Sequence, residues 1–399
     1  MNIGIAAPSD IRTFLPFFSN EIDKRIISEN NFENSAPAVN TLIISFLKSG
    51  HFVRLFTLST SENFVLKEKN IEIFGVKNYD TYPGKYIWGH YSNATRLKPV
   101  LANNLSGLDV LHAQWTYCYA YAASGFTDKI PVFCTVRDWT SIIWKMESLK
   151  NKITWSVNYI MNKQVFSNRK INFIANSQYT ASLIKKKYKR EVPVIPNSIK
   201  DDFMRMGSPE YPENLEILCI SSSNDKRKNI KTLLYAFQKI AHKYPKAHLN
   251  LIGPPFYDSS RDLKPWKQEN LLKNVSLHGK VNHKDLIDFI DRARLFVTPS
   301  LEETFGNTLL ESLSRKVPVI AGKNSGAIPY VLDNGRLGLL CDVSKWEEIY
   351  QAIEFLYLNP KEAQSLAEKG FELIFQKYSE VTICNQHIDL YSNIDSHKK

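Results

Sequence analysis

Cysteine is scarce in this chain and forms no recognisable pattern. Only five of the 399 residues are cysteine, and no two of them make a CxxC motif. An odd, scattered set of cysteines is typical of free buried thiols in a reducing compartment, and it offers no zinc-binding spacing. The sequence therefore argues against a disulfide scaffold and against a zinc module.

Long hydrophobic runs are also missing. The apolar runs, such as the one from Val317 to Gly322, are far shorter than the roughly 18–20 residues that a membrane-spanning helix needs. The first residues, MNIGIAAPSDIRTF, lack the basic region and the long apolar stretch of a signal peptide. We therefore expect a cytoplasmic protein, whose contact with a membrane is at most peripheral, on the inner face of the cell membrane.

The sequence does have an ordinary globular composition with an uneven distribution of charge. Apolar residues make up 43% and charged residues 23%, which excludes disorder as the main state. The net charge of +11 lies entirely in residues 1–200, which hold 25 Lys and Arg against 14 Asp and Glu, whereas residues 201–399 hold 26 of each. Halves that differ so much in charge are expected to bind different partners.

Short apolar runs alternate with longer amphipathic ones along the chain. Near-continuous apolar strands separated by helices are typical of a parallel sheet that is covered on both faces. The alternation breaks at residues 193–207 and then restarts, and a chain of 399 residues is long enough for two domains. We therefore predict two consecutive α/β domains. Ligands bind at the carboxyl ends of parallel strands, so we expect a binding cleft between the domains.

The most informative segment runs from Val297 to Glu311 and predicts a strand, a loop and a helix. Glu303 lies in the loop, Gly306 directly precedes the helix, and Glu311 lies about one turn into it. A helix N-terminus suits a phosphate, and glycine lets the backbone approach a ligand closely. Glu311 is placed to accept hydrogen bonds from the vicinal hydroxyls of a ribose. The alternative interpretation is a capped surface helix with incidental acidic residues.

A second polar loop follows the predicted strand Leu215–Ile220. It contains Lys226, Arg227 and Lys228 just before a predicted helix that begins at Ile230. Cations in a strand-to-helix loop can neutralise a diphosphate, although most charge runs of this kind are simply solvated. The position of the loop favours a binding role for Lys228.

Residues 299–311 resemble the donor-site motif of the retaining glycosyltransferases of family 4, which have the GT-B fold. In that family a Pro-Ser-x-x-Glu-x-Phe-Gly pattern is followed by a second glutamate, with seven residues between the two glutamates. Glu303 and Glu311 match these two positions. Further segments resemble the family at 318–322, 326–329 and 334–342. The resemblance covers most of residues 190–360, and the first half of the chain matches only loosely.

The resemblance implies an α/β fold of the GT-B type, with two Rossmann-like parallel-sheet domains facing across a cleft. Residues 1–200 would form the acceptor-side domain and residues 201–376 the domain that binds the nucleotide-sugar donor. Residues 377–399 would form a C-terminal helix that crosses back to the first domain.

The resemblance also implies roles for the donor-site residues. Glu311 would bind the ribose of a sugar nucleotide, and Glu303 would contact hydroxyls of the donor sugar. The backbone of four neighbouring residues would hold the sugar and the diphosphate, namely Phe305, Gly306, Asn307 and Thr308.

The basic loop matches the family in part. Lys228 matches the family's lysine, but the family's arginine falls near Ser223, so Arg227 or Lys226 would replace its charge. Fixed cations and helix amides can stabilise the charge that grows on a departing diphosphate without a metal. No Asp-x-Asp sequence stands in a plausible metal-binding loop. We therefore predict no metal and no cofactor, since the nucleotide sugar is a substrate.

The first half of the chain supplies candidates for the acceptor side. The family's His-Asp pair is replaced by Arg137 and Asp138, and its first Gly-Gly loop is replaced by Pro8 and Ser9, while His112 lies in another predicted strand. Arginine cannot act as a base because it stays protonated, but it can bind a sugar hydroxyl or a phosphate. The alternatives are a structural ion pair for Arg137 and Asp138 and a packing role for His112.

Residues 141–190 form the most basic part of the chain. They contain 11 Lys and Arg, one acidic residue and interspersed aromatic residues. Such a surface can lie on an anionic membrane leaflet or steer an anionic acceptor such as a lipid-diphosphate sugar. The alternative is a core-facing helix with a solvated lysine face. Nucleic acid is a poorer interpretation, because no nucleic-acid-binding module accompanies the charge.

The resemblance, together with these patterns, implies a retaining, metal-independent glycosyltransferase of the hexosyltransferase type. It would move a sugar from a nucleotide-diphosphate sugar to a glycan or lipid-linked acceptor, in the biosynthesis of a bacterial O-antigen, capsule or exopolysaccharide. The family's front-face mechanism lets the leaving phosphate oxygen take the acceptor's proton, which makes the missing histidine tolerable. The alternatives are a GT-B-like phosphorylase, a nucleotide-sugar epimerase, and a degenerate subunit that binds a sugar nucleotide without transfer.

Overall fold

The computed structural model describes residues 1–19, 26–27, 36–81, 84–204 and 212–395. The chain divides into two compact units, and the first boundary lies between Ser198 and Ile199, two residues before the predicted end of the first domain. The second unit is Ile199–Ser379, and the chain from Glu380 onward belongs to the first unit. The second unit thus extends three residues beyond the predicted residue 376.

The first unit is built on a seven-stranded sheet. Its strands are β1 Asn2–Ala6, β2 Phe52–Ser59, β3 Phe64–Lys67, β4 Ile71–Lys77, β5 Val110–Gln114, β6 Val132–Val136 and β7 Ile171–Ala175. The strand order is β3-β4-β2-β1-β5-β6-β7, and all neighbouring pairs are parallel except β3 with β4. β5 and β6 are buried along their whole length, as expected for strands covered on both faces.

Six described helices precede the unit boundary. They are α1 Pro37–Lys48, α2 Lys85–Asn103, α3 Cys118–Ala123, α4 Thr140–Met146, α5 Leu149–Ser167 and α6 Gln178–Tyr188. Serine side chains begin the last two of these helices, because Ser148 accepts from the backbone N–H of Asn151 and Ser177 accepts from that of Thr180. These caps satisfy N–H groups that have no partner within the helix.

The second unit is built on a six-stranded sheet in which every neighbouring pair is parallel. Its strands are β8 Glu216–Ile220, β9 His248–Ile252, β10 Val275–Leu277, β11 Leu295–Thr298, β12 Val319–Gly322 and β13 Leu339–Cys341. The strand order is β10-β9-β8-β11-β12-β13. β8 and β11 are therefore neighbours, and their carboxyl ends lie side by side at one edge of the sheet.

The helices of the second unit are α7 Ile230–Lys243, α8 Lys264–Gln268, α9 His283–Asp291, α10 Asn307–Ser314, α11 Ile328–Val331, α12 Trp346–Leu358 and α13 Pro360–Lys377. α7 shows why they pack on the sheet: Leu233, Phe237 and Ile240 recur at helical spacing and are fully buried. Short 3-10 segments occur in the two units at Ile11–Phe17, Ser124–Phe126, Asp201–Phe203, Arg261–Leu263 and Asp333–Gly335.

The chain returns to the first unit in its last helix, α14 Glu380–Asp395. The Nζ of Lys48 donates to the Glu380 carboxylate at 2.8 Å, which joins α14 to the end of α1. The Sγ of Cys384 is buried and lies 3.7 Å from the Ser45 carbonyl oxygen. All five cysteines are free and buried.

The predicted pair of parallel-sheet α/β domains is confirmed, with two local differences from what the sequence pattern predicts. The apolar run at residues 192–195 predicts a further strand, but these residues do not form one: only Val194 makes an isolated bridge, to Ala175, because the flanking Pro193 and Pro196 have no N–H to donate. The antiparallel edge strand β3 was not predicted from the sequence. Residues 205–207 of the predicted break lie outside the described residues.

Candidate functional site

Two loops of the second unit meet at the carboxyl ends of the neighbouring strands β8 and β11. The first loop carries Lys228 and the second carries Glu303. The Nζ of Lys228 donates to Oε1 of Glu303 at 2.5 Å. The two side chains are only 13% and 16% exposed, so water screens the ion pair weakly. Two residues predicted from separate motifs thus lie side by side.

Glu303 is held in its charged form. Burial raises the pKa of its carboxyl group, but the charges of Lys228 and Arg227 and hydrogen bonds from Lys228 and Ser300 outweigh burial, so the pKa is lowered. Glu303 is therefore a carboxylate at neutral pH. Its oxygens can accept hydrogen bonds from the hydroxyl groups of a ligand.

Asp225 organises the basic loop between β8 and α7. Its carboxylate accepts from Ser223 Oγ at 2.7 Å and from the backbone N–H groups of Arg227 and Lys228 at 2.9 and 3.1 Å. Burial raises the pKa of Asp225, but Arg227, Ser223 and Lys228 together lower it. Ser223 and Arg227 thus shape the loop, and the guanidinium of Arg227 also lies 3.5 Å from the Asp225 carboxylate.

Asn229 fixes the same loop to the sheet, a contact that the sequence analysis missed. It stands at the N-cap of α7 with a φ of 55°, and its Nδ2 donates to the carbonyl oxygens of Pro299 and Val343 at 3.1 and 2.7 Å. Those carbonyls are 70 and 114 residues away in the sequence. The available signal was local, since asparagine is favoured just before a helix.

The helix after Glu303 begins at a backbone turn that requires glycine. Gly306 has a φ of 98°, and a Cβ atom added there would lie 2.8 Å from Ile328 Cδ1. Asn307 and Thr308 form the first turn of α10, where a helix concentrates partial positive charge. The Phe305 ring is buried among core residues, so its backbone is the part that fits the predicted ligand contact.

Glu311 lies four residues into α10 and is partly buried. Burial raises the pKa of its carboxyl group to about 7. No residue in the described part of the chain forms a hydrogen bond or an ion pair with this carboxyl group. A partly buried carboxyl without a protein partner gains from hydroxyl groups that donate to it.

The first unit places Arg137 at the carboxyl end of β6. Its Nε donates to Gln114 Oε1 at 2.7 Å, its guanidinium donates to Asn197 Oδ1, and the group lies 5.8 Å from the centre of the Trp115 ring. Burial lowers the pKa of Arg137 to about 10, so it still carries a charge at neutral pH. Gln114 and Asn197 are thus contacts of a predicted site residue.

Asp138 has a different neighbour. The hydroxyl of Tyr117 donates to Asp138 Oδ2 at 2.9 Å. Burial first, and then the adjacent Asp138 charge, raise the pKa of Tyr117 well above its usual value, so the phenol remains a donor. Tyr117 was not singled out in the sequence, because no motif marks a tyrosine that precedes a short helix.

His112 is a core residue. It is fully buried on β5, with Nδ1 2.6 Å from the Tyr391 hydroxyl and Nε2 2.7 Å from Thr135 Oγ1. Burial, with the nearby His387 and Arg137, lowers its pKa well below the usual value. Both ring nitrogens are engaged within the protein. The structure therefore favours the packing interpretation of His112 over contact with an acceptor.

Pro8 and Ser9 follow β1 at the same edge of the first sheet. The backbone N–H of Ser9 donates to Thr57 Oγ1 at 3.2 Å. Ser9 Oγ is buried and makes no hydrogen bond to any described residue. A buried hydroxyl of this kind is unusual in folded proteins. Ser9 therefore stays a candidate for ligand contact.

Residues 141–190 correspond to α4, α5, β7 and α6. Four apolar side chains on α4 and α5 are well exposed, with exposed fractions from 38% to 85%: Trp144, Leu149, Ile153 and Ile160. Leu149, Ile153 and Ile160 recur at helical spacing and so share one face of α5. The exposed Lys145 and Lys163 lie on the same two helices. The region thus combines apolar and basic groups at its surface.

Two negative findings apply to the described residues. No three His, Cys, Asp or Glu side chains in them come together in a group that could hold a metal ion. No helix in them has both the length and the apolar character needed to cross a bilayer. Metal independence stays a prediction.

Two family models match the chain, one on each unit. Residues 38–203 match the model described as Glycosyltransferase Family 4, and residues 205–373 match the model described as Glycosyl transferases group 1. The capsular polysaccharide biosynthesis glycosyltransferase CapM of Staphylococcus aureus is 26% identical over 274 residues, which are 69% of this chain and 66% of that protein. The chain spans less than two thirds of the length of the first curated relatives it matches, at 66%, 31% and 59%.

Solved structures show the same fold. Sucrose-phosphate synthase from Thermosynechococcus elongatus superposes with a TM-score of 0.78 and 18% identity, covering 100% of both chains. Anabaena Alr3699/HepE, solved in complex with UDP-glucose, gives a TM-score of 0.68 and 16% identity over 98% of this chain and 100% of that one. At these identities the similarity shows that the architecture is shared.

Proposed function

This chain belongs to the GT-B glycosyltransferases of the family 4 type, and we propose that it moves a sugar from a nucleotide-diphosphate sugar to a glycan or lipid-linked acceptor. The observation that carries this proposal is the convergence of Lys228 and Glu303 beside the first turn of α10. A cation, a carboxylate and a helix N-terminus match the diphosphate and the sugar hydroxyls of such a donor. The similar Alr3699/HepE was solved with UDP-glucose bound, which supports this class of donor.

Each donor-site residue has a proposed task. Lys228 and the amides at the start of α10 hold the diphosphate, with Arg227 adding positive charge. Glu303 accepts from hydroxyls of the sugar, and Glu311 accepts from the ribose. In the transfer, the acceptor oxygen bonds to the anomeric carbon as the bond to the diphosphate breaks.

We propose retention of configuration and independence of metal. The acceptor attacks from the face that the diphosphate leaves, and its proton passes to the leaving phosphate oxygen, so no strong protein base is needed. Lys228 and Arg227 would neutralise the departing diphosphate. Arg137, which keeps its charge, would bind a hydroxyl or phosphate group rather than accept a proton.

The biological setting is proposed from the name of a relative and from composition. CapM is named for capsular polysaccharide biosynthesis, which supports a role in making a bacterial surface polysaccharide. We propose a cytoplasmic protein, because the scattered free cysteines suit a reducing compartment.

The exposed face of α4 and α5 supports peripheral attachment to an anionic membrane. Leu149 is 85% exposed and Ile153 is 57% exposed, which would bury apolar surface in the interfacial region while lysines meet lipid phosphates. We expect the wild-type protein to sediment with anionic vesicles but not with zwitterionic ones. The double variant Leu149→Ser/Ile153→Ser should no longer sediment with anionic vesicles. The control is Phe375→Ser, an exposed apolar residue of the second unit. Equal binding by all three proteins would refute the attachment site.

The function is tested by assaying transfer from a panel of nucleotide sugars to a panel of acceptors. Lys228→Ala and Glu311→Ala should abolish transfer, whereas Lys231→Ala, whose Nζ pairs with Glu269 at 2.8 Å, should retain it. NMR of the product shows whether the anomeric configuration is retained. Transfer assayed in the presence of a chelator shows whether the reaction needs a metal ion. Use of inorganic phosphate in place of an acceptor would indicate a phosphorylase. Conversion of the donor alone would indicate an epimerase, and binding without turnover would indicate a degenerate subunit.

A further inference from the structure

The first unit contains a cavity of about 430 Å³ at the carboxyl end of β4. Its wall is formed by the residues that follow β4, by one face of α2 and by the beginning of α5. The volume falls within the range of roughly 300–1,000 Å³ that is usual for small-molecule sites. None of the residues assigned to the donor site lines it, since the cavity lies wholly in the first unit.

The wall combines aromatic rings with side-chain amides. Tyr79 and Trp155 supply the rings, and Asn78 and Asn93 supply amides. An amide both donates and accepts, as a sugar hydroxyl does, and an aromatic face packs against the C–H groups of a sugar ring. Asn93 Oδ1 accepts from the backbone N–H of Tyr79 at 2.5 Å, which fixes the segment after β4.

One amide oxygen of this wall has no partner within the described chain. Asn78 Oδ1 is buried and makes no hydrogen bond to any described residue. An amide oxygen that is buried without a donor destabilises the folded state, so such groups in folded proteins call for an explanation. A ligand hydroxyl in the cavity would supply the missing donor.

The described residues of the wall carry little charge, although the Arg96 guanidinium lies 5.7 Å from the centre of the Tyr79 ring. Residues 1–200 hold the whole basic excess of the chain, yet none of the described residues lining the cavity is Lys or Arg. Asp80 is its one described carboxylate. Burial lowers the pKa of His90 to about 4, so this imidazole is neutral at neutral pH. The wall therefore suits an uncharged group and disfavours a phosphate.

The cavity adjoins a predicted site residue through one aromatic side chain. The Tyr117 ring lies edge-on to His90 at 4.9 Å and to Trp155 at 6.2 Å between ring centroids. The same Tyr117 donates to Asp138 at the carboxyl end of β6. A ligand in the cavity would thus lie next to the acceptor-side residues predicted from the sequence.

We propose that this cavity binds an uncharged sugar ring of the acceptor, stacked on Trp155 and hydrogen-bonded to Asn78. This inference rests on the proposed transfer function. It divides recognition of the acceptor in two: the neutral sugar enters the cavity, and any phosphate of the acceptor stays outside, on the basic surface of residues 141–190.

The test uses the full chain and uncharged methyl glycosides of common hexoses and N-acetylhexosamines, with binding followed by saturation-transfer NMR. At least one glycoside should bind the wild type, and its affinity should fall tenfold or more in Trp155→Ala and in Asn78→Ala. Trp155→Phe, which keeps an aromatic face, should bind within threefold of the wild type. The control is Trp88→Ala on α2, an exposed tryptophan outside the cavity wall.

Two further readouts separate this inference from the proposed function. The hexose 6-phosphate that corresponds to the binding glycoside should bind at least fivefold more weakly than the uncharged sugar. Nucleotide-sugar binding should be unchanged in the Trp155 and Asn78 variants. Failure of every glycoside to bind, or binding that survives both variants, overturns the cavity assignment. Failure of all nucleotide sugars to bind instead overturns the proposed function.

Discussion

The Nζ of Lys228 and Oε1 of Glu303 lie 2.5 Å apart and join the loops that follow two neighbouring parallel strands. Both side chains are largely buried, so removal of either one leaves the other charge without its partner in a poorly solvated place. The pair therefore links the stability of the second unit to the geometry of the proposed donor site.

Breaking this pair should destabilise the protein from either side. For Lys228→Met and for Glu303→Gln we expect the free energy of unfolding to fall by about 2 kcal/mol. This value lies between the roughly 0–1 kcal/mol lost when an exposed ion pair is broken and the roughly 3–5 kcal/mol lost when a buried one is broken. The double variant should lose less free energy of unfolding than the two single variants lose together, because it leaves no unpaired charge. Urea unfolding measures the three values.

The control for the pair is Lys243→Met. Lys243 pairs with Glu354 at 2.7 Å but is 52% exposed. Its loss should lower the free energy of unfolding less than the loss of Lys228 does, and it should not affect donor binding. Equal costs for the Lys243 and Lys228 variants would show that burial adds nothing to the Lys228–Glu303 pair.

Donor binding should strengthen as the pH rises through neutrality. The pKa of Glu311 is raised to about 7 by burial, and its ionised form accepts from two ribose hydroxyls more strongly than the protonated form, in which one oxygen becomes a donor. Between pH 6 and pH 8 we expect the affinity for a nucleotide sugar to rise about tenfold, with release of a proton on binding. Calorimetry in buffers of different ionisation enthalpy measures both quantities.

Glu311→Gln is the matched variant for this pH dependence. It keeps the shape of the side chain but cannot ionise, so its affinity should be lower and should not change between pH 6 and pH 8. A pH profile of the same slope in the wild type and in Glu311→Gln would assign the titration to another group.

Gly306→Ala should impair the start of α10. The φ of 98° is strained for alanine, and the new Cβ atom would lie 2.8 Å from Ile328 Cδ1. We expect the free energy of unfolding to fall by about 1–3 kcal/mol and the affinity for the donor to be at least tenfold weaker. Gly50→Ala separates the two causes, because Gly50 has a φ of 79° but no atom within 4 Å of the added Cβ. If both variants lose the same stability, the contact with Ile328 contributes nothing.

The sequence predicted where the candidate donor-side residues lie in the fold, because that information is local. Lys228, Glu303 and Gly306 each stand in a short strand-to-loop segment, and parallel strands bring such segments to one edge of the sheet. Nothing local could show that Lys228 Nζ would reach Glu303, 75 residues later.

The first unit was harder to predict for the opposite reason. The hydroxyl of Tyr391 bonds to His112 across 279 residues, because the chain returns to the first unit in α14. A histidine in an apolar strand does not reveal in the sequence that a distant tyrosine will occupy its nitrogen. The four-residue strand β3 was missed because it is too short to show a clear alternation.

The buried histidines should make the protein sensitive to acid. Burial lowers the pKa of His387 to about 4, against about 6.5 in an unfolded chain. The unfolded state therefore binds the proton first, so the stability contributed by neutral His387 is complete above pH 6.5 and is lost as the pH falls toward 4. This one residue should account for about 3 kcal/mol of the free energy of unfolding over that window.

In His387→Gln the melting temperature should fall less between pH 7 and pH 4.5 than in the wild type. The control His242→Gln, at an exposed histidine, should follow the wild type. If all three proteins lose stability in parallel, other groups govern the acid transition, and His112, whose pKa burial also lowers, is the next to substitute.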